Sequence, residues 1–351
     1  MADKHIPWIR EFFADQGELV LKAGTDITRH DLIDATILLT RTVTPINADL
    51  LQHTTVTYVG SVTAGYDHID IEWLKEAGIT WSYAPSANAT AVAQYVLCCI
   101  AYWMIEQKLS SDSQIGVVGI GHVGSQVVRY LNQLHFTVVY NDPPRTEQEP
   151  SFISTPLSKL HDVDLLTLHT PLTTTGKYPT HHLIDAAFLA RLKPGCILLN
   201  TGRGAVIDNQ ALLSASHVTI GLDVWEQEPN INLALLEKAM IATPHVAGYS
   251  EEAKCRATRQ VYEQARQYFG WKNAVSPTTP EVFQPTALAL PSQASWEEAV
   301  LHIYHPRLDT ELMKKTLLKH PQTAAYHFEQ LRREYPFRHE FSRYHHPALP
   351  S

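Results

Sequence analysis

The stretch QIGVVGIGHVG at 114–124 constrains the fold more than any other part of this sequence. An apolar run leads there into Gly119, Gly121 and Gly124, in the spacing G-x-G-x-x-G, and apolar residues then recur at helical spacing. The first glycine of such a loop permits a tight turn, the second lets phosphates approach the backbone, and the third lets helix and strand pack closely. The stretch therefore predicts a βαβ unit that binds a dinucleotide at a helix N-terminus.

An acidic residue stands where the next predicted strand ends. Asp142 follows the strand predicted over 137–140, at the spacing where a carboxylate hydrogen-bonds the ribose hydroxyls of a dinucleotide. Its negative charge repels the 2′-phosphate of NADP, so we expect NAD as the cofactor. Arg145 lies three residues further on, and its positive charge softens this discrimination.

Strand patterns alternate with helical patterns along most of the chain. A first series predicts strands over 35–40 and 56–59 and a helix over 70–77, which indicates a small parallel α/β sheet. A long apolar helix over 89–109 separates this series from a second one. The strands predicted in the second series are Ile115–Val118, Thr137–Tyr140, Leu165–Leu168, Cys196–Leu199, Thr219–Leu222 and Met240–Ala242. Six strands in this arrangement are typical of a doubly wound dinucleotide-binding sheet.

The last hundred residues differ in character from the rest. A helix is predicted over Glu251–Phe269, and a proline-rich linker over Pro277–Pro291 follows it. The remaining segment is rich in Trp, Tyr, His and Arg, with helical patterns over 309–318 and 324–335. It is too small to hold much of a core alone, so we expect it to pack on the rest of the chain or on a partner subunit.

The overall composition excludes several classes of protein. A chain of 351 residues exceeds one ordinary core, which predicts two or three domains. A net charge of -8 argues against a nucleic-acid-binding protein, which needs a basic face. The most apolar stretch, 89–105, contains Gln94 and is short for a membrane span. Four cysteines without a C-x-x-C pair, and a first segment without the apolar core of a signal peptide, favour the reducing cytoplasm.

Nineteen histidines raise the question of a metal site. The adjacent pairs His181–His182 and His345–His346 do not share a face on a helix or a strand. No H-E-x-x-H or similar ligand spacing occurs in the sequence. We therefore expect no bound metal.

Three further signals follow strands of the second series, at the ends where open α/β sheets bind ligands. Arg203 lies between two glycines, which leave its backbone free to turn, and a guanidinium can bind a carboxylate with two hydrogen bonds. Glu226 and Glu228 follow the next strand, and His245 follows the one after. A histidine oriented by an acid is suited to general acid/base catalysis. The set predicts oxidation of a 2-hydroxy acid, with His245 as the acid/base.

The same residues carry a resemblance to a known family. Five motifs resemble those of the D-isomer-specific 2-hydroxyacid dehydrogenases: GIGHVG at 119–124, LHTPLT at 168–173, LLNTGRGAVID at 198–208, LDVWEQEP at 222–229 and TPHVAG at 243–248. The resemblance covers roughly residues 35–275. It implies a Rossmann-type doubly wound NAD-binding domain and a flavodoxin-like substrate (lid) domain.

The resemblance also implies a role for individual residues. Arg203 binds the substrate, Glu228 rather than Glu226 is the partner of the histidine, and His245 is the acid/base. The cofactor contacts that it implies are Gly119, Gly121, His122, Val123, Gly124, Asp142, Thr170, Pro171, Thr201, Gly202, Asp223 and Gly248. The substrate contacts that it implies are Thr42, Thr63 and Tyr249.

A second set of motifs is similar to one branch of that family, whose members oxidise a phosphorylated four-carbon hydroxy acid. These motifs are NDPPR at 141–145, GSVTAGYDHID at 60–70, HVAGYS at 245–250 and FEQLRREYPFRHEFS at 328–342. The extra C-terminal segment of that branch is a dimerisation domain, which implies a homodimer. A phosphorylated substrate needs a cation or backbone N–H groups, and the candidates are Arg41 and the loop 61–65.

These observations predict three domains. They are a substrate-binding (lid) domain over 1–90 and 254–276, an NAD-binding domain over 91–253, and a small α+β dimerisation domain over 280–351. Two other functions stay open. One is a 2-hydroxyacid dehydrogenase acting on phosphoglycerate or glyoxylate, and the other is an NAD-sensing binding protein on the same fold, as in related transcriptional corepressors.

Overall fold

The structure is a computed structural model that describes residues 1–272 and 286–350. In chain order the strands are β1 Ala2–Asp3, β2 Leu21–Lys22, β3 Ile37–Thr40, β4 Tyr58–Ser61, β5 Thr80–Tyr83, β6 Gln114–Val118, β7 Thr137–Asn141, β8 Leu165–Leu168, β9 Ile197–Asn200, β10 Thr219–Leu222, β11 Ile241–Ala242, β12 Thr286–Ala287 and β13 Tyr344–His345. The α-helices are α1 Ile9–Phe13, α2 Ala48–Leu51, α3 Ile71–Glu76, α4 Ala89–Ile105, α5 His122–Gln133, α6 Pro143–Gln148, α7 Ala186–Leu189, α8 Asn209–Ser214, α9 Leu233–Lys238, α10 Glu251–Phe269, α11 Trp296–Ile303, α12 Pro306–Lys319 and α13 Ala324–Arg333. The described residues form two compact units, 1–88 with 250–272, and 89–249 with 286–350.

The first unit is built on a five-stranded parallel sheet in the order β2-β1-β3-β4-β5. This is the 2-1-3-4-5 order of flavodoxin-like sheets, which confirms the predicted class of this domain. Helix α10 covers the sheet, because its buried Val261 and Tyr262 pack in one apolar cluster with Leu39 and Tyr58 of the strands. The helix begins and ends where the sequence predicts, since Ser250 caps its N-terminus and Gly270 follows in the left-handed conformation.

The sequence patterns do not predict three strands of this sheet. Strands β1 and β2 have two residues each, which is too short to show any periodicity. Strand β5 has the sequence TWSY and lies at the edge of the sheet, where most of its side chains are partly exposed. An edge strand needs no continuous apolar run, so the signal that marks a buried parallel strand is missing there.

The second unit is built on a six-stranded parallel sheet in the order β11-β10-β9-β8-β6-β7. All six predicted strands are confirmed, with ends that differ by at most one residue. The chain runs from β6 to its neighbour β7, and then returns past β6 to form β8 on the other side. This reversal opens a crevice at the carboxyl ends of β6 and β8, which is where doubly wound sheets bind their ligands.

Two apolar cores cover the two faces of this sheet. Helix α4 is buried on every side, with Tyr95 and Trp103 fully shielded from solvent, and it packs on one face with Val117 and Leu199. Alternate strand residues such as Leu198 point into a separate core on the other face. The predicted buried helix is therefore confirmed, although it ends earlier than predicted. In the described part of the chain, no helix combines the length and the apolar character that crossing a membrane requires.

The C-terminal segment packs on the second unit, as one of the two expectations held. Val300 of α11 joins the core on the α4 side, whereas Met313, Leu317 and Phe328 join the core on the other face. The short pair β12–β13 adds a parallel strand pairing to these helices, which confirms the predicted α+β character. Helix α11 was not predicted. Residues 277–285 of the predicted linker lie outside the described residues, and the predicted domain boundaries stay predictions.

Candidate active site

The glycine loop between β6 and α5 has the geometry that its sequence predicts. Gly119 has a φ of +84°, a region that strains any residue with a side chain. A Cβ on Gly124 would lie 2.0 Å from the carbonyl oxygen of Gly119, so only glycine lets α5 pack here. At Gly121, in contrast, a Cβ would have no atom within 4 Å. The N-terminus of α5, which begins at His122 and Val123, therefore borders open space where its N–H groups can bind a pyrophosphate.

Asp142 is held against this loop. Its Oδ2 accepts the N–H of Ile120 at 2.7 Å, and its Oδ1 accepts the N–H of Arg145 at 3.0 Å. The side chain of Arg145 also lies at the loop, where Nη1 donates to the carbonyl oxygen of Ile120 at 3.0 Å. Its charge is paired, because Nε and Nη2 both donate to Glu149 at 3.0 Å. This pairing limits how far Arg145 can offset the negative charge of Asp142.

The loop after β8 borders the glycine loop on its other side. A Cβ on Gly119 would lie 2.9 Å from Cγ2 of Thr170. The Oγ1 atom of Thr170 is buried and has no hydrogen-bond partner among the residues that the structure describes. A buried hydroxyl of this kind needs a partner, and a bound dinucleotide would supply one. This orphaned atom and the open space at the helix N-terminus show that the residues fit the predicted cofactor.

A buried histidine joins this loop to the next one. Nδ1 of His169 is hydrogen-bonded to the hydroxyl of Thr201 at 2.8 Å. Burial lowers the pKa of His169 to about 3, so the ring is neutral at physiological pH. Pro171, the other predicted contact on the first loop, accepts a hydrogen bond from Thr180 through its carbonyl oxygen at 2.6 Å. The sequence reasoning used the motif around His169 and missed this role of the ring.

The glycines on either side of Arg203 have a different purpose from the one predicted. Neither has a positive φ. A Cβ on Gly202 would lie 2.7 Å from the carbonyl oxygen of Thr170, and one on Gly204 would lie 1.9 Å from the carbonyl carbon of Trp225. The glycines therefore let the Arg203 loop contact the loops on both sides of it. Close approach of neighbouring backbones, not freedom to turn, explains them.

Glu228 is the acid that contacts the predicted catalytic histidine. Its Oε2 accepts a hydrogen bond from Nδ1 of His245 at 2.8 Å, and its Oε1 accepts the N–H of Trp225 at 2.8 Å. Burial raises the pKa of Glu228, but the charge and hydrogen bond of His245, the Trp225 N–H and the charge of Arg332 together hold the pKa below its usual value. The carboxylate is therefore ionised at neutral pH. Because it fixes Nδ1 as a donor, Nε2 is the nitrogen left to exchange a proton with a substrate.

The rival carboxylate, Glu226, has another partner. Its Oε1 accepts a hydrogen bond from Nε2 of His182 at 2.9 Å. The rings of His181 and His182 are stacked with centroids 4.0 Å apart, and His182 has a φ of +48°. The expectation that adjacent histidines cannot share a face is wrong here, because a left-handed residue turns both rings to one side. The three side chains bring possible ligand atoms within 4.8 Å of one another, so the absence of a bound metal stays a prediction.

Asp223 fixes the backbone around His245. Its buried Oδ1 accepts hydrogen bonds from the hydroxyl of Thr243 at 2.7 Å and from the N–H of Val246 at 2.8 Å, and both of its oxygens accept the N–H of Ala247 at 3.1 Å. Its own carbonyl oxygen accepts the N–H of His245 at 2.7 Å. Burial raises the pKa of Asp223 against these hydrogen bonds and the charge of His245. Its predicted cofactor contact stays a prediction.

Two arginines that the sequence reasoning missed reach this loop from the C-terminal segment. Arg338 donates to the carbonyl oxygens of Val246, at 3.1 Å, and Ala247. Arg332 hydrogen-bonds with the side chain of Tyr249, the predicted substrate contact that follows Gly248. The motif LRREYPFR of the tail contained both arginines, but nothing in its spacing indicates which part of the fold they contact.

The remaining predicted residues belong to the first unit. Arg41, Thr42 and Thr63 follow β3 and β4, at one edge of that sheet. Nε of Arg41 donates to the fully buried carboxylate of Asp3 at 2.7 Å. The hydroxyl of Thr63 donates to the carbonyl oxygen of Gly65 at 2.8 Å, and Thr42 is exposed. Their roles stay predictions, and the charge of Arg41 is already paired.

Comparison with known proteins relates this arrangement to a family. Residues 102–247 match the model of the D-isomer specific 2-hydroxyacid dehydrogenase NAD binding domain. An erythronate-4-phosphate dehydrogenase of Coxiella burnetii (strain RSA 331 / Henzerling II) is 49% identical over 344 residues, covering 97% of this chain and 93% of that protein. One of Marinobacter nauticus (strain ATCC 700491 / DSM 11845 / VT8) is 40% identical over 356 residues, covering 97% and 92%.

A solved structure supports the fold independently. The crystal structure of D-lactate dehydrogenase from Aquifex aeolicus, complexed with NAD and lactic acid, has a TM-score of 0.60 at 24% identity. It covers 76% of this chain and 92% of that chain. With the family match, this confirms the predicted fold class, and NAD is confirmed as the cofactor. The roles of individual site residues stay predictions.

Proposed function

This chain belongs to the erythronate-4-phosphate dehydrogenases of the D-isomer-specific 2-hydroxyacid dehydrogenase family, and from that premise we propose that it oxidises 4-phospho-D-erythronate to 3-hydroxy-2-oxo-4-phosphooxybutanoate with NAD. The resemblance assigns this reaction to pyridoxal 5′-phosphate (vitamin B6) biosynthesis. The observation that carries the chemistry is the 2.8 Å hydrogen bond between Glu228 and His245, on a loop next to the one that bears Arg203.

The mechanism follows from the charges of three side chains. Nε2 of neutral His245 takes the proton of the substrate 2-hydroxyl, and ionised Glu228 stabilises the imidazolium that forms. The guanidinium of Arg203 binds the substrate carboxylate and so aligns the C2–H bond. The nicotinamide of bound NAD supplies the acceptor for the hydride that leaves C2. One hydride and one proton depart, which balances the oxidation of the alcohol to the ketone.

The substrate contacts in the first unit are part of this proposal. Thr42 and Thr63 are proposed to bind the substrate from the loops after β3 and β4. Arg41 is the weaker candidate for the phosphate, because buried Asp3 would lose its partner if the guanidinium turned to a ligand. The N–H groups of the loop 61–65 are the stronger candidate, since consecutive N–H groups form anion sites without a side chain.

The decisive experiment measures NADH formation by the purified protein with a panel of hydroxy acids. The panel contains erythronate 4-phosphate, 3-phosphoglycerate and glycolate, each at the same concentration. The proposal predicts the highest kcat/KM for erythronate 4-phosphate. A higher value for another acid would assign the protein to another dehydrogenase of the family, and NAD binding without any turnover would favour the binding-protein alternative. His245→Asn should abolish turnover and retain NAD binding, and survival of turnover within a few fold would contradict the acid/base role.

We also propose that the protein is a homodimer joined through the C-terminal segment. Leu308 and Leu312 lie one turn apart on α12 and are both exposed, so they form a short apolar stripe without a cover in the described chain. Light scattering coupled to gel filtration tests this. The wild type should have the mass of a dimer, and Leu312→Glu should shift it to a monomer, whereas Ile153→Glu, at an exposed apolar residue outside the segment, should not. A monomeric wild type would contradict the proposal.

We place the protein in the cytoplasm. Cys98, Cys99, Cys196 and Cys255 are all buried and unpaired, and free thiols are typical of a reducing compartment. The proposed cofactor and phosphorylated substrate are consistent with this location. Immunodetection in fractionated cells tests it, and recovery in an oxidising compartment would contradict it.

A further inference from the structure

Tyr249 is surrounded by side chains of the C-terminal segment. The centroid of its ring lies 5.8 Å from that of Tyr335 and 6.2 Å from that of Phe337, both in edge-on contacts. The guanidinium of Arg332 hydrogen-bonds with its hydroxyl. Arg338 fixes the backbone of the same loop by donating to the carbonyl oxygens of residues 246 and 247. The segment therefore holds both the backbone and the last side chain of the loop that begins at His245.

Arg332 lies close to two groups of the proposed mechanism at once. Besides its hydrogen bond with Tyr249, its positive charge interacts with Glu228, which orients His245. Its side chain is 21% exposed. The Nε atom is buried and lacks a hydrogen-bond partner within the described chain. A buried guanidinium with an unused donor is unfavourable, so packing alone does not explain its position.

The contacts of Arg332 on its own helix are weak by comparison. Nη1 lies 3.9 Å from the half-exposed carboxylate of Glu329, and the guanidinium carbon lies 6.0 Å from the ring centroid of Phe328. An exposed ion pair at that distance contributes little, and the cation–π contact is at the limit of its range. The interactions with Glu228 and Tyr249 are therefore the ones that distinguish Arg332 from a surface arginine.

We propose that Arg332 is a positioning residue for the dehydrogenase reaction: it holds the Tyr249 hydroxyl toward the substrate and places a fixed positive charge beside Glu228. The inference rests on the proposed function, in which Tyr249 contacts the substrate and Glu228 orients His245. It gives the C-terminal segment a second role. The segment would complete the active site of its own chain, in addition to joining two subunits.

The proposal predicts effects on substrate binding and on pH dependence. Without Arg332, the Tyr249 hydroxyl loses its donor, so KM for erythronate 4-phosphate should rise while KM for NAD stays unchanged. The charged groups that act on Glu228 are His245 and Arg332, and both lower its pKa. Removal of Arg332 should therefore raise the pKa of Glu228, and activity should begin to fall at a higher pH as the solution is acidified.

The test compares Arg332→Met with Arg333→Met, the next residue on α13. Arg333 is 61% exposed and lies 3.9 Å from Glu334, so it is a matched control with the same chemistry on the same helix. Arg332→Met should lower kcat/KM for erythronate 4-phosphate by about 10- to 100-fold, the loss of a hydrogen bond to a charged group. Arg333→Met should remain within about twofold. Equal losses in both variants, or an unchanged KM and pH profile in Arg332→Met, would overturn the proposal.

Two further variants keep the proposal testable if Arg332→Met does not fold. Arg332→Lys retains the charge and loses the planar fork, so its activity should fall between those of the wild type and Arg332→Met. The loss from Tyr249→Phe should not add to the loss from Arg332→Lys, because both remove the same hydrogen bond. Full additivity would refute the coupling between the two residues.

A readout without substrate separates this inference from the proposed function. The titration of the Glu228 carboxyl carbon, followed by carbon-13 NMR, should move to higher pH in Arg332→Met and not in Arg333→Met. If the wild type does not oxidise erythronate 4-phosphate but this shift is found, the proposed substrate is wrong and the electrostatic role of Arg332 stands. If the wild type turns over and the titration does not move, that role is wrong.

Discussion

The substitution Glu228→Gln isolates one negative charge of the proposed active site. The carboxylate accepts two hydrogen bonds at 2.8 Å, one from His245 on Oε2 and one from the Trp225 N–H on Oε1. A glutamine side chain has the same shape but only one acceptor oxygen, so it can satisfy one of these donors and turns its NH2 group to the other. The variant therefore loses the charge and one hydrogen bond, with no change in volume.

The size of the effect follows from the energy of that hydrogen bond. A hydrogen bond to a charged group contributes about 1.5–3 kcal/mol, and each 1.36 kcal/mol changes a rate tenfold, which gives a loss of about 10- to 150-fold in kcat/KM. His245 is 34% exposed and Glu228 is 18% exposed, so solvent screens part of the interaction and favours the lower half of this range. The loss should fall mainly on kcat, because the charge matters most when the imidazolium forms.

Glu226→Gln is the matched control for this measurement. Glu226 lies two residues away and forms the same kind of hydrogen bond, at 2.9 Å, with His182 instead of His245. Steady-state NADH formation from erythronate 4-phosphate should be within about twofold of wild type in this variant. If Glu226→Gln loses as much activity as Glu228→Gln, or if neither variant loses activity, the assignment of Glu228 as the orienting acid is refuted.

Three other outcomes are expected. Gly124→Ala should lower the melting temperature, because its Cβ would lie 2.0 Å from the carbonyl oxygen of Gly119, whereas Gly121→Ala should leave that temperature unchanged and weaken NAD binding in a titration, and equal melting temperatures in the two variants would contradict this. Asp142→Asn should reduce the ratio of kcat/KM for NAD over NADP about tenfold or more, and an unchanged ratio would remove its assigned role. The pKa of His169 is lowered from 6.5 to about 3, so the free energy of unfolding should fall by up to about 1.4 kcal/mol per pH unit as the pH drops below 6.5, and His169→Gln should flatten that slope in denaturant titrations.

Local patterns predict the second sheet well because its strands are buried on both faces. All four residues of β8 and all four of β9 are buried, and an apolar run bounded by turn residues is the signal of such a strand. The glycine loop is also a local feature, since the spacing of its glycines is set by the turn and the helix that they form. Edge strands and strands of two residues have no comparable signal, which is why β1, β2 and β5 were missed.

The partners of the site residues depend on tertiary contacts that no local pattern contains. Glu226 and Glu228 are equivalent in the residue pattern, and only the position of His182 distinguishes them. The stacking of His181 on His182 depends on one left-handed residue. The tail arginines reach a loop about ninety positions earlier in the chain, and spacing within the tail does not indicate this contact.

The left-handed backbone of His245, with a φ of +59°, has a consequence for how this protein can evolve. For any residue other than glycine, and to a lesser degree asparagine or aspartate, that conformation costs about 1–2 kcal/mol. A histidine retained there is thus maintained by selection for activity against a standing penalty in stability. In a lineage released from that selection, replacement by glycine would stabilise the loop and end catalysis in one step. The NAD-binding fold would survive, so a dehydrogenase of this kind lies one substitution from becoming a stable dinucleotide-binding protein.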